Sequence, residues 1–441
     1  MISKNPYEKI LFPNGARLIL VPMDGVNSVA SSVMVGVGSR YEEAAEHGIS
    51  HFLEHMVFKG TSKYPTTDDV NVIERYGGLQ NAYTDLDITN YHNKVLAEDW
   101  KLGLEINKEL SLNPLLEEKH VEKERDVIIE EMKRYEDEPS AKVNEVFHEI
   151  MYPKTKLGRR IIGTADSLHG QASKELSMYH EKWYAPERMV VVLAGGLKGP
   201  YFVPHTGTSR GEPYSEVIQT AQEWFGSLPA KKTGDIEVVM DSQTEPRLEV
   251  VTKPDAQQAH MTLGLRTFNR SSDERFDWNV FNILFGISFS SRLFKEVREK
   301  RGLCYHIRSS SDAWADVGYW SIYAGVGTDK VEEATKAIIH ELSKAVQGGV
   351  TEDEVMVSKK RLKTLMAFKG EDPEFMTEFY GRQELFGEPI LTIDEYLAKI
   401  ESVTVESINT LIRKYFVTKN LNMALVWSKK RDEKMIEMLK V

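Results

Sequence analysis

Residues 16–38, ARLILVPMDGVNSVASSVMVGVG, alternate apolar and polar positions with a bias to Val and a turn at Asp24-Gly25, the pattern of two half-buried strands. From 48 to 59 the apolar spacing changes to the helical period, and it does so again over 67–75 until Gly77-Gly78 interrupts it. A second strand pair follows in NAYTDLDITNYHNKVL, after Gly77-Gly78. Long amphipathic helices are predicted over 98–110, 117–134 and 172–184, and the run MVVVLA at 189–194 has the composition of a buried strand. Because strands and helices arrive in blocks, the expected fold class is α+β rather than a strictly alternating parallel α/β sheet.

The second half repeats this order. A helix over 172–184, a turn with Pro186 and a Met-Val-Val-Val-Leu strand have their counterpart in 404–427, where a helix, Tyr415-Phe416, a polar turn and Asn422-Met423-Ala424-Leu425-Val426 follow one another. The strand before Gly38 likewise corresponds to QQAHMTLGLRTF at 257–268, again followed by an apolar helix. Two similar sandwich-like domains are therefore expected, each a mostly antiparallel sheet with helices packed on it: residues 1–228 and 247–441, joined by a polar linker at 229–246. The Pro- and Gly-rich stretch 199–215 fits neither half and is expected to be a surface insertion, a solvated excursion rather than a substrate gate.

Composition narrows the function. At 441 residues there is length for two or three cores, and 41% hydrophobic with 28% charged residues excludes a disordered chain. The formal charge of −11 argues against the broad basic surface that nucleic acid or an anionic membrane demands, so neither partner is expected. A single cysteine, Cys304, cannot close an intrachain bridge or build a thiolate metal site. No run approaches the roughly 20 apolar residues of a membrane span, and the first residues have the character of neither a signal nor a transit peptide, so a cytoplasmic location is expected.

Chemistry concentrates at His51-Phe52-Leu53-Glu54-His55. On a helix the i, i+4 spacing sets both imidazoles on one face, suited to two bonds to one metal ion, and Glu54 lies beside them. A carboxylate held there, near the metal but not on it, can take a proton from water, which is the work of a hydrolytic base. The pentapeptide is the inverted zincin pattern His-x-x-Glu-His. Two histidines leave a catalytic zinc underbound, and the predicted helix ERDVIIEEMKRYEDE offers carboxylates: Glu124 and Glu131 share a face two turns apart, whereas Glu130 points about 100° away.

With these residues in view, the chain resembles the M16 family of zinc peptidases, the pitrilysin and insulin-degrading enzymes, and within it the half-length chains similar to the β subunit of mitochondrial processing peptidase. The matching stretches span nearly the whole chain: GVGSRYEEAAEHGISHFLEHMVFKGT, GGLQNAYTDLDITNYH, ERDVIIEEM, LGRRIIGT and SSRLFKEVREKRGLCYHIRSS. The resemblance implies a metalloendopeptidase with one Zn2+ per chain, Glu131 as the third ligand, Glu124 as an acid supporting a ligand from behind, and Glu54 as the base. It further implies that Asn81, Ala82 and Thr84 lie on an edge strand receiving an extended peptide substrate, with Asn81 near the scissile bond. Arg298 and Tyr305 match an Arg-x6-Tyr pair suited to holding the substrate carbonyl. Two departures stand out: Cys304 precedes Tyr305 where relatives often carry a small residue, and the 199–215 insertion is longer than usual.

Full-length relatives join four such domains, so a half-length chain is expected to need a partner. Since this one carries both the His-x-x-Glu-His motif and the Arg298–Tyr305 pair, a homodimer is expected, a heterodimer with a motif-free homologue being the alternative. The rival reading of function is a noncatalytic scaffold subunit. The other histidines, among them His47, His92, His120, His148, His260 and His306, are expected in packing or surface roles.

Overall fold

The computed structural model describes residues 6–197, 214–236, 238–239 and 243–441; the insertion expected at 199–215 falls outside the described residues except for Tyr214 and Ser215. Two compact units emerge, and each is discontinuous in sequence. The first comprises Met1–Glu131, Arg160–Ile236 and Ala367–Ile393, the second Met132–Arg159, Glu237–Met366 and Asp394–Val441.

Six strands form the first unit's sheet: Glu8–Leu11 (β1), Arg17–Pro22 (β2), Ser28–Val35 (β3), Leu79–Thr84 (β4), Thr89–Leu96 (β5) and Met189–Gly195 (β6), in the order β1-β2-β6-β3-β5-β4. Only β2 and β6 run parallel. The two strands predicted over 16–38 form, but β6 lies between them and hydrogen-bonds to both. Nor is β3 half-buried: every residue after Ser28 is buried. The cause is cover on both faces. From one side the helix Trp100–Leu112 packs on β3 and β5, its Asn107 amide donating to the Ser31 carbonyl and hydroxyl. From the other the helix Pro373–Leu385 packs on β2, β3 and β6, burying Met376 and Tyr380 against Ile19, Met34, Val190 and Val192. Strands covered twice read as continuous apolar runs, which is why MVVVLA ends in the sheet's interior.

The second unit carries Arg247–Thr252 (β7), Gln258–Thr267 (β8), Cys304–Ala313 (β9), Gly318–Gly327 (β10) and Asn422–Trp427 (β11), in the order β7-β11-β8-β10-β9, with only β7 and β11 parallel. Setting β1 aside, the two orders and the place of the parallel pair coincide strand for strand. The helix Ser173–Trp183 before β6 and the helix Val405–Tyr415 before β11 are matched too, each followed by a short tight turn, Pro186–Arg188 or Thr418–Asn420. The internal repeat and the α+β class are thus real.

Contiguous halves are not what packs, however. The helix Pro139–Met151, from the first half of the chain, lies on β7, β8 and β11, with the Thr262 hydroxyl donating to Asn144 at 2.9 Å. The helix Pro373–Leu385, from the second half, covers the first sheet at Gly381, where a Cβ would stand 2.7 Å from Met34 Sδ and 2.9 Å from Val192 Cγ2. Each half lends a helix to the other's sheet. Periodicity reveals which face of a helix is apolar but not which sheet receives it.

Candidate functional site

The motif helix spans Ile49–Val57 and buries Ile49, Phe52, Leu53, Met56 and Val57, which leaves His51, Glu54 and His55 on its half-buried side. Its start is held from within the core. The fully buried Glu42 carboxyl group accepts from the Gly48 N–H at 2.8 Å and the Ser50 N–H at 2.9 Å, satisfying amides that the helix itself leaves unpaired. Burial pushes the Glu42 acid up to about 8, against these same bonds. Gly48 enters the helix at φ +91°, and a Cβ there would meet Gly163 Cα and the Ile162 carbonyl, both at 2.8 Å, so only glycine fits. One turn on, the Ser50 and Tyr179 hydroxyls share a bond of 2.8 Å.

The long helix Glu118–Asp137 brings Glu131 to the histidines: its Oε2 lies 3.9 Å from His51 Nε2 and 3.5 Å from His55 Nε2. One donor atom from each of the three falls within 4.8 Å of the others, the one such grouping of His, Cys, Asp or Glu among the described residues. Tetrahedral bonds of about 2.0–2.1 Å set ligands roughly 3.4 Å apart, so the spacing suits one small cation with an open coordination position. Protonation agrees: burial first, and the neighbouring His55 second, push the His51 imidazole down to about 3, which keeps it the neutral donor a metal requires. Its Nδ1 is buried and has no hydrogen-bond partner among the described residues. His55 differs, because its Nδ1 pairs with Glu124 Oε1 at 2.9 Å, and Glu124 Oε2 takes the Lys59 ammonium at 2.7 Å. Burial opposes ionisation of Glu124, but the bonds from His55 and Lys59 outweigh it and hold the acid below the usual range.

Glu54 stands beside this group. The Thr84 hydroxyl donates to its Oε2 at 2.6 Å. Its acid is raised, chiefly by burial and further by the Glu131 charge, with the Thr84 bond and His55 acting in the opposite sense. Thr84 ends β4, which among the described residues is one of the two edge strands of the first sheet. Side chains alternate along a strand, so Thr84 and the buried Ala82 face the motif helix, whereas Asn81 and Tyr83 face the other way. On that far side the Tyr83 hydroxyl donates to Glu378, and the Asn81 side chain accepts from the next amide, that of Ala82. The geometry therefore brings together His51, Glu54, His55, Glu124, Glu131 and Thr84, and turns the Asn81 side chain to the opposite face from Glu54.

Arg298 and Tyr305 belong to the second unit and meet each other there. Arg298 lies in a wide π-helical turn, Phe294–Glu299, with its guanidinium carbon 4.6 Å from the Phe294 ring centre and 5.5 Å from that of Tyr305. Tyr305 is the extra residue of a β-bulge: His306 pairs with Gly325 and Cys304 with Val326, and the tyrosine between them is 80% exposed. Bulges re-aim side chains in this way. Cys304 is buried, its thiol pushed up to about 11. Among the other histidines, His47 bonds to the Arg160 carbonyl and His260 to the Tyr323 hydroxyl.

Three contributors escaped the sequence reading: Glu42, Lys59 and the Thr84 bond to Glu54. Lys59 had a signal, since it follows His55 by four residues and so shares its face. The other two depend on contacts across the fold. No helix among the described residues is long and apolar enough to cross a membrane.

Residues 18–165 match the family described as Insulinase (Peptidase family M16), and residues 211–362 match Peptidase M16 inactive domain. The "Uncharacterized zinc protease YmxG" of Bacillus subtilis is 32% identical over 413 residues, covering 94% of this chain and 96% of the relative. An uncharacterized zinc protease of Mycobacterium tuberculosis is 33% identical over 410 residues, covering 91% and 89%. Among solved structures, a protease from Helicobacter pylori shares the fold at TM-score 0.86 and 22% identity over 95% of this chain and 99% of its own. The periplasmic protease PqqL from Escherichia coli does so at TM-score 0.79 and 20% identity, over all of this chain and 50% of the larger one.

Proposed function

This chain belongs to the M16 peptidases, a zinc family, and on that premise we propose that it is a zinc-dependent endopeptidase that hydrolyses extended or unfolded peptides. The observation that carries the reading is the convergence of His51, His55 and Glu131 with a half-buried Glu54 alongside them on one helix face. His51 Nε2, His55 Nε2 and a Glu131 oxygen are the ligands. Zinc held there supplies Lewis acidity, which polarises the scissile carbonyl and eases loss of a proton from water.

The chain's own groups do the rest. The open edge of β4 pairs with the peptide backbone and lays it beside the motif helix. Glu54 accepts the proton of the attacking water at a carboxylate oxygen and returns it to the departing amine; burial, which raises its acid, makes it a better base than an exposed glutamate. Thr84 fixes the orientation of that carboxylate through the 2.6 Å bond. Arg298 and Tyr305 hold the substrate carbonyl, and a homodimer supplies them from one protomer to the metal of the other. Mixing Glu54→Gln with Tyr305→Phe chains restores activity if so, and verified mixed dimers with no recovery reject the arrangement.

The reading as a peptidase is tested by cleavage of quenched unstructured peptides with and without a chelator, beside Glu54→Gln. Zinc-dependent cleavage lost in the variant supports it. The rival, a noncatalytic subunit, draws on the description of residues 211–362 as an inactive domain, and it is favoured if wild-type protein loaded with zinc leaves every peptide intact.

A further inference from the structure

We propose that Lys59 is a positioning residue for the metal site, acting through Glu124 to hold His55 ready to bind. The proposal rests on the reading of His55 as a ligand and concerns how that ligand is held. His55 and Lys59 are four residues apart, and a backbone bond from the Lys59 amide to the Met56 carbonyl closes the turn that ends the motif helix. Both side chains reach the same carboxylate: His55 Nδ1 at Glu124 Oε1, 2.9 Å, and Lys59 Nζ at Oε2, 2.7 Å. The Glu124 side chain is 7% exposed, so little water is at hand to replace either partner.

A carboxylate in this position has two oxygens to place. With Oε2 tied to the ammonium, Oε1 has one direction left, toward the imidazole, where it accepts from Nδ1–H. That bond puts the ring hydrogen on Nδ1 and leaves Nε2, the nitrogen facing Glu131, with its lone pair free. Among the described residues His51 has no such support, as no group there pairs with its buried Nδ1. Ordering of the pair of imidazoles therefore falls on the Lys59–Glu124–His55 chain. Removing the ammonium frees Glu124 to rotate, and the ring of His55 with it.

Zinc titration of the metal-stripped full chain, against a competing chromogenic chelator, tests this. Lys59→Met is expected to weaken zinc binding about tenfold, at the lower end of what loss of such outer partners costs. Lys59→Arg, which keeps a charged donor, is expected to recover most of it. Because Lys59 acts through Glu124, adding Lys59→Met to Glu124→Gln is expected to cost nothing further. The ring nitrogen resonances of His55 add an independent sign: the Nδ1–H form dominates in the wild type and in Lys59→Arg, and loses dominance in Lys59→Met. Wild-type affinity in a folded Lys59→Met protein overturns the proposal, as does a full additional loss in the Glu124→Gln background. Failure of the wild type itself to bind zinc overturns instead the ligand assignment on which it rests.

Discussion

Replacing Glu42 by Ala tests how the metal-binding helix is anchored. The carboxyl group is fully buried and accepts two amide bonds, at 2.8 and 2.9 Å, from the first residues of that helix. Alanine leaves both N–H groups without a partner at a cost of about 1–3 kcal/mol each, and adds a cavity. Against this, the variant escapes the expense of burying an acid. A net loss of about 2–4 kcal/mol remains, which at roughly 2–4 °C per kcal/mol lowers the melting temperature by about 5–15 °C. Dependence on pH has a defined sign. The folded protein keeps the Glu42 proton up to about pH 8, while an ordinary glutamate in the unfolded chain releases it near 4.5. Stability from this group is therefore fully present below 4.5 and declines as pH rises toward 8, by about 1.4 kcal/mol per unit. Calorimetry from pH 5 to 8 is expected to show the wild type losing melting temperature more steeply than Glu42→Gln, which cannot ionise. The reasoning is refuted if Glu42→Ala melts within about 2 °C of the wild type at pH 6, or if the wild-type and Glu42→Gln profiles run parallel.

Thr84→Val removes the donor on Glu54, and since a bond to a charged group contributes about 1.5–3 kcal/mol, kcat on a quenched peptide is expected to fall roughly 10–100-fold with zinc affinity retained; Thr84→Ser is expected to recover most of it. Zinc at about 100 times its dissociation constant is expected to stabilise the wild type by about 2.7 kcal/mol in a thermal melt, a shift that chelation reverses and that Glu131→Ala abolishes. Gly381→Leu drives a side chain into Met34 and Val192, and overpacking of about 1–3 kcal/mol or more is expected as a lower midpoint in urea; an unchanged midpoint would mean that the helix Pro373–Leu385 does not seat on the first sheet as described.

The parts of this protein that follow from short-range rules could be read along the chain. Four-residue spacing set His51 and His55 on one helix face, and seven-residue spacing set Glu124 and Glu131 on another. The hairpin of β4 and β5 followed from alternation on either side of a turn, and the repeat from matched runs such as MVVVL and NMALV. Each needs only the pitch of a helix or the pleat of a strand. What the fold alone decided concerns partners distant in sequence. The insertion of β6 between β2 and β3, the helices lent between halves, Glu42 beneath Gly48 and Ser50, and the swing of Asn81 away from Glu54 while Thr84 meets it all turn on which surfaces come together. Local pattern states that a face is apolar or a carboxylate available, and many pairings satisfy it equally. The choice among them is made by close packing, which seats Gly381 where a Cβ would crowd the Met34 and Val192 side chains, and by the need of every buried amide for an acceptor.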